Sequence, residues 1–445
     1  MKLRTYYAVF CCSLWMLTLP ELTSGVEPVF RVGFAQKDVT PQVPTPMWGY
    51  GARKDKLSEG ILDPLMAKAI VIEAGTERVA LMGLDMGRAP TTAMMEHIRT
   101  RIRETSQVNH VLIVGSHTHH GPVFELSDRD GFGKGRFDAA IGYLKTLPDL
   151  LADTIIEAAA GLQPAKMGIT TADVPYNRNR HTKRQPPARD PQLAVMRFDD
   201  LQGKPLAVLV NFAGHPVMTD SKLLKFSADY PGFLMNTVEK QLGSPCVFMQ
   251  GASGDLSVNP IGVSGPQQFG ELLGNECVKL AGSIQTEAPA HPSLKGRVDR
   301  FQFTKRIDLS NPAVMFAYSQ AFFPELIQNF VEEYRDGIRP ELNTILLNRE
   351  IAIVGGSGEF FCNHAVRLRE RSYVKHTLFF GCCNGYMNYF PTIEAVSEGG
   401  YGADVYVSPV EVGAGEQMIN RALTNIYVML GRIAEGKTQT VVPEE

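Results

Sequence analysis

The sequence has little surplus of charge of either sign. Its 44 Lys and Arg stand against 47 Asp and Glu, a formal net charge of -3. Without a basic excess nothing matches a run of phosphates, which excludes nucleic acid as a partner. The one basic run, "RNRHTKRQPPAR" at 178–189, is short and proline-containing, and reads as a solvated loop. Cysteine is scarce too. Beyond residue 25 there remain Cys246, Cys277, Cys362, Cys382 and Cys383. An odd number at irregular spacing is not a disulfide framework, although one or two bridges are compatible with it. None of the spacings is that of a zinc–thiolate site. After the N-terminus no apolar run is long enough for a membrane-spanning helix. Internal repeats, low-complexity tracts and convincing linkers are missing as well.

What is present begins with "MKLRTYYAVFCCSLWMLTLPELTSG". Lys2 and Arg4 form a basic start, Tyr6 to Leu19 an apolar core too short for a comfortable span, and Thr23, Ser24 and Gly25 a small-residue end. This pattern predicts a secretory signal over residues 1–25, cut near Gly25, and an exported protein, secreted or periplasmic. An uncleaved membrane anchor is the competing reading.

Strand-like and helix-like runs then alternate. "RVALMGLDM", "HVLIVGSH", "PLAVLVNFAGH", "CVFMQGASGD", "EIAIVGGSGEF" and "HTLFFGCC" read as strands. "TTAMMEHIRTRIRET" reads as a helix with Met94, Met95, Ile98 and Ile102 on one face. "FDAAIGYLKTLPDLLADTIIEAAAGL" reads as a helix interrupted near Pro148. "YPGFLMNTVEKQL" is a helix with Pro231 in its first turn, and "QQFGELLGNECVKLAGSI" and "GEQMINRALTNIYVMLGRIAEG" are further helices. The alternation predicts an α/β fold, a layered mixed β-sheet core flanked by helices. It also predicts one large catalytic domain over 26–445, with a less regular insertion around 284–345.

Chemistry concentrates at strand ends. In "VLIVGSHTHHGP" (111–122) an apolar run leads into His117, His119 and His120, in a chain with ten histidines. The strand at 205 ends in Asn211 and His215. The strand at 246 ends in Gln250, Ser253, Asp255 and Ser257, and the strand at 350 in Glu359. Open α/β sheets gather ligand sites at the carboxyl ends of their strands. Two histidines and a glutamate converging there form a common zinc ligand set. An extended "HTH" puts His117 and His119 on one face, so one can bind metal while the other stands beside a water. Gly115 and Gly121 permit close backbone approach. The competing reading makes these histidines hydrogen-bonded turn residues. It weighs most for His120, which reads as an exposed loop histidine.

Taken in order, several separated stretches resemble the neutral (non-lysosomal) ceramidase family. "VGFAQKDVTP" is similar to the family's opening segment, and "GSHTHHGP" to its "THTHSGP", with Ser116 and His120 departing. "YNRNR" followed by "DPQLAVMRFDD" resembles "INRSP" and the strand after it. "NFAGHP" resembles the second histidine motif, and "QGASGDLSVNP" resembles "GDVSPN", with Val258 for proline. "GSGEFF" resembles "PGEFTT", and "CNGYMNYFPT" with Tyr401 downstream resembles "CNVYTHYITT" and its following tyrosine. The match spans about residues 31–430.

The resemblance implies a zinc ion held by His117, His215, Glu359 and Tyr389. It implies catalytic partners at His119, Arg178, Tyr401 and Ser257, with Arg180 a rival to Arg178 and a structural turn an alternative role for Ser257. The implied activity is zinc-dependent hydrolysis of the N-acyl amide of ceramide or a related lipid, with peripheral membrane contact. Alternatives are another amide or ester, such as an amino-sugar derivative, and a secreted binding protein without chemistry. The family's full-length enzymes carry a C-terminal β-sandwich domain for which this chain has no counterpart. No amphipathic surface helix is evident either, and the two departures together lead to the expectation of a smaller or more soluble best substrate. N-terminal sequencing of the exported protein should find a start near Val26. An intact Met1 on protein confined to membranes would contradict the signal assignment.

Overall fold

Alternating apolar residues build an eight-stranded mixed sheet. Its spatial order is Cys246–Gln250, Pro205–Phe212, Gln192–Asp200, Gln163–Asp173, Phe30–Asp38, Met66–Ala74, Glu77–Leu84, His110–Gly115. The outermost ladder at each end is parallel and those between are antiparallel. A second, four-stranded sheet runs Leu294–Arg300, Glu341–Leu347, Ile351–Gly356, His376–Phe380, and its last pair is again parallel. These are features of a computed structural model that describes residues 30–434 together with Met1. The expected signal segment and its cleavage point lie outside the described residues.

The described helices are α1 (Thr92–Ser106), α2 (Asp138–Ala160), α3 (Asp229–Leu242), α4 (Gly265–Ser283), α5 (Pro312–Ala321), α6 (Pro324–Glu333), α7 (Cys362–Ser372), α8 (Ile393–Glu398) and α9 (Ala414–Met429). A parallel strand pair cannot be joined by a tight turn and needs a crossover. Each parallel pair in these two sheets has a helix in that crossover: α1, α3 and α7. The fold therefore contains three strand–helix–strand units, and the carboxyl ends of their strands meet at one place.

The eight-stranded sheet bends back on itself. A Cβ added to Gly83 would meet the Phe248 carbonyl oxygen at 2.5 Å, so the strand Glu77–Leu84 passes Cys246–Gln250 too closely for any side chain. Ile72, Leu81 and Leu112 from one half meet Met196, Leu209 and Met249 from the other, and Ile345, Ile353 and Phe380 of the second sheet complete this buried cluster. Helices α3 and α4 cover the outer face of one half, with Leu234, Val238, Phe269 and Leu273 buried there. Helices α1 and α2 cover the other.

Two expectations need correction. Helix α2 is continuous through Pro148. Proline costs an interior helix about 3 kcal/mol, but Ile141, Leu144, Leu147, Leu151 and Ile155 are all buried on one face of α2, and each contributes roughly 1.5–3 kcal/mol. The segment 284–345 is not an irregular insertion. It supplies two strands of the second sheet and the α5 and α6 helices. The five cysteines are all buried and unbridged.

Candidate metal centre

The three crossover units deliver the central side chains. The strand His110–Gly115 runs past Arg88 with no room for a side chain at Gly115, where a Cβ would lie 2.7 Å from the Arg88 carbonyl carbon. The chain then turns at His117, which has a left-handed backbone (φ 70°). The "HTH" segment is thus not extended as expected, yet the His117 and His119 rings still converge, with centroids 5.1 Å apart. His215 follows the strand Pro205–Phe212, and Glu359 follows Ile351–Gly356.

His117 and His215 are fully buried, each with one ring nitrogen tied to the backbone. His117 Nδ1 donates to the Gly87 carbonyl at 2.8 Å. His215 Nδ1 donates to the Ser253 carbonyl at 2.8 Å. Each Nδ1 therefore carries a proton, which turns the two Nε2 atoms toward the centre. Those two Nε2 atoms face each other at 3.1 Å. Glu359 Oε2 lies 3.3 Å from one and 3.0 Å from the other, and has no hydrogen bond of its own. The other carboxylate oxygen accepts from the Tyr386 hydroxyl at 2.5 Å.

Two lone pairs and a buried carboxylate at this separation repel one another unless positive charge lies between them. The titration behaviour reflects that demand. Burial pushes the His117 imidazole down, but the Glu359 carboxylate and Cys382 overcome it and hold His117 well above its ordinary pKa. Burial, then Arg180, pushes His215 down to about 4. Glu359 is held well below the usual carboxylate range by the imidazoles despite its burial. Two imidazole nitrogens and a carboxylate oxygen are donors that zinc accepts, so the residues fit the metal that the sequence implies.

His119 stands beside them with neither ring nitrogen hydrogen-bonded. One of its nitrogens falls within 4.8 Å of ligand atoms of His117 and His215. Its ring packs edge-on against Trp48 and Tyr50. Burial and its two histidine neighbours hold its pKa well below ordinary.

The tyrosines divide. Tyr389, expected as a ligand, accepts from Arg180 Nη2 at 3.1 Å, and its ring lies 5.6 Å from that of Tyr401. Tyr386, three residues earlier in the same motif, holds Glu359. Behind it lies a fully buried Arg88–Glu125 pair at 2.6 Å, with the guanidinium 5.4 Å from the Tyr386 ring.

The structure brings Arg180, not Arg178, to the centre. Arg180 Nη2 lies 2.8 Å from His215 Nε2 and 2.9 Å from the Gly254 carbonyl. In the short strand Asn177–Asn179, alternation turns Asn177 and Asn179 inward, where they bond Ala213 and Asp255. Arg178 between them is exposed. The strand ends at Asn179, and past the bend the Arg180 side chain, exposed over part of its length, brings its guanidinium to His215, Gly254 and Tyr389. Ser257 contributes through its backbone: it pairs with Arg178 and bridges to His215. His120 is fully buried rather than exposed. Arg53 donates to its Nε2 at 2.9 Å, and its Nδ1 donates to the Lys225 carbonyl at 3.0 Å.

Trp48, Tyr386 and Arg53 were not found from the sequence. The pairing of Tyr386 with Tyr389 in "YMNY" was the one local signal for any of them. A cleft at the centre is lined by Trp48, Tyr50, His119, Tyr386, Tyr389 and Tyr401. Phe322, Phe323, Leu326 and Phe330 of the α5–α6 region add an apolar lining.

Comparison with known proteins gives consistent findings. Residues 30–291, more than half of the chain, match the family described as neutral/alkaline non-lysosomal ceramidase, N-terminal. The chain is 28% identical over 220 residues to neutral ceramidase 3 of Arabidopsis thaliana, a match covering 44% of this chain and 29% of that protein. It is 26% identical over 271 residues to a neutral ceramidase of Oryza sativa subsp. japonica, covering 55% and 32%. The matched region thus spans about a third of these relatives. In fold it is similar to the crystal structure of neutral ceramidase from Pseudomonas aeruginosa, with a TM-score of 0.74 at 20% identity over 94% of this chain and 77% of that one.

Zinc titration should separate these roles. His117→Ala, His215→Ala and Glu359→Gln should each weaken zinc binding by about 100-fold or more, because even supporting contacts of metal ligands are worth 10–100-fold. Ser257→Ala should leave it unchanged. Undiminished affinity in the two histidine variants would refute the centre.

Proposed function

Since this chain belongs to the neutral/alkaline non-lysosomal ceramidase family, we propose that it is an exported zinc-dependent amidohydrolase. Its substrate on this reading is the N-acyl amide of ceramide or a related lipid, cleaved by water. The observation that carries the reading is the pair of imidazole Nε2 atoms held against each other and against the Glu359 carboxylate. His117, His215 and Glu359 would hold the zinc, with Tyr389 the fourth ligand implied by the family motif. When bound, zinc supplies Lewis acidity, which acidifies water toward neutral pH and polarises an acyl carbonyl.

The chain's own residues do the rest. His119 has both ring nitrogens free of protein partners and faces the cleft. It takes a proton from the attacking water and returns it to the departing amine, a role worth about 10²–10⁴ in rate. Arg180 takes the part expected of Arg178. Its guanidinium and the Tyr401 hydroxyl stabilise the oxyanion of the tetrahedral intermediate, at about 3–4 kcal/mol for a well-placed donor. Trp48 and Tyr50 hold the His119 ring edge-on. The phenylalanines of the α5–α6 region exclude water and offer an acyl chain an apolar surface.

Turnover of N-acyl sphingosine, an N-acyl amino sugar and a matched ester tests this reading. Cleavage of the sphingosine amide should be fastest, disappear with a chelator and return with zinc. Arg180→Ala should lower it by about 10²–10³, the loss of one oxyanion donor, while Arg178→Ala stays within about twofold of the parent rate, as a surface substitution should. No cleavage of any amide by zinc-loaded protein would overturn the proposal, and equal losses in the two arginine variants would overturn the role of Arg180.

A further inference from the structure

The basic run 178–189 does not behave as an independent loop. Thr182 Oγ1 and the Lys183 amide bond Glu398 at the end of α8, and Arg184 pairs with the same carboxylate at 2.9 Å. His181 Nδ1 donates to the Tyr401 carbonyl at 3.2 Å. The run is therefore tied to the turn that follows α8. That turn carries Tyr401 and Tyr406, which are 65% and 45% exposed, and Val405. Its Tyr406 carbonyl accepts from Tyr318 of α5, and α5 carries Phe316, 69% exposed. Lys183 and Arg189 are exposed along the basic run.

Two properties thus adjoin at the mouth of the cleft, since Tyr401, Val407 and Phe322 line the cleft itself. One is a set of exposed aromatic and aliphatic side chains on a turn and a helix. The other is a run with no acidic residue between 178 and 189, in which Arg178, Lys183 and Arg189 are exposed while Arg180 reaches the centre and Arg184 pairs with Glu398. Large apolar side chains in water beside concentrated positive charge are the composition of a surface that lies in the headgroup region of an anionic bilayer. A soluble partner of the cleft would need neither.

We propose that the turn 401–406, α5 and the basic run form a docking surface for an anionic lipid bilayer, which sets the cleft mouth against the membrane. This rests on the reading of the cleft as a lipid-amide site, and it names where that lipid is drawn from. It departs from the expectation of a smaller, more soluble best substrate. The apolar surface sought in a helix is built mainly from a turn, and the basic run assigned to a solvated loop supplies its charge.

The test is co-sedimentation of the zinc-loaded protein with two kinds of vesicle. One is pure phosphatidylcholine and the other contains about one third phosphatidylglycerol. Two variants are compared, Val405→Glu with Tyr406→Glu, and Lys183→Glu with Arg189→Glu. Turnover of a short-chain soluble N-acyl sphingosine serves as the control for fold and chemistry. The parent should bind the anionic vesicles and release them at high salt, because surface charge is screened within about 3 Å at 1 M. Each double variant should bind on the order of tenfold or more weakly, since each basic residue contributes about fivefold near an anionic surface, with soluble turnover unchanged. Parent protein left in the supernatant, variants that bind as tightly as the parent, or a salt-insensitive dimer formed through this face would each overturn the docking surface. Vesicle binding without cleavage of any amide would uphold it and overturn the hydrolase reading. Soluble turnover without vesicle binding would do the reverse.

Discussion

The structure depends on one electrostatic constraint: two imidazoles and a carboxylate, all buried, are made to face one another. Three backbone carbonyls impose it. Gly87, Ser253 and Leu256 accept from the Nδ1 side of His117 and His215 and so fix which nitrogen turns to the centre. A buried unpaired charge is expensive, and removing one member of a buried pair typically costs about 3–5 kcal/mol. The protein nevertheless keeps Glu359 ionised, and without metal the raised His117 imidazole and the Arg180 guanidinium supply the positive charge that the carboxylate demands. An arrangement that calls for positive charge at its middle is the preorganisation that a metal centre needs.

The fold serves that constraint through its parallel pairs. Most of the eight-stranded sheet is antiparallel and carries none of the central residues. The three crossover units built on α1, α3 and α7 each end at the centre, with His117, His215 and Glu359 at the ends of their strands. Because the sheet bends back on itself, strands far apart in ladder order bring their carboxyl ends together. The second sheet then brings Glu359 and the tyrosines from the other side. Tyr386 holds the carboxylate, and the Arg88–Glu125 pair stands behind Tyr386. The cost of burying that ion pair is reduced by its 2.6 Å contact together with the hydrogen bonds from the Phe124 amide to Glu125 and from Arg88 Nε to the Ala89 carbonyl.

Much of the centre was legible because its signals are local. A histidine cluster after a buried strand, a second histidine after another strand and a glutamate after a third all lie within a few residues of a periodic apolar run. The α/β alternation was legible for the same reason. What escaped was set through space. Arg178 and Arg180 have the same parity on paper, and only the end of the strand at Asn179 decides between them. The burial of His120 depends on Arg53, 67 residues earlier in the chain. Helix α2 passes Pro148 because the core beneath it outweighs a local rule. The apolar surface at the cleft mouth comes from a turn and a helix distant in sequence, which no periodicity could expose.

The central claim is that a divalent cation completes the facing imidazoles and carboxylate. The most direct measurement is anomalous diffraction, on either side of the zinc absorption edge, from crystals of the mature protein grown with zinc. One peak enclosed by His117 Nε2, His215 Nε2 and Glu359 Oε2 is the expected result. No peak there, with zinc bound only elsewhere on the molecule, would contradict the account.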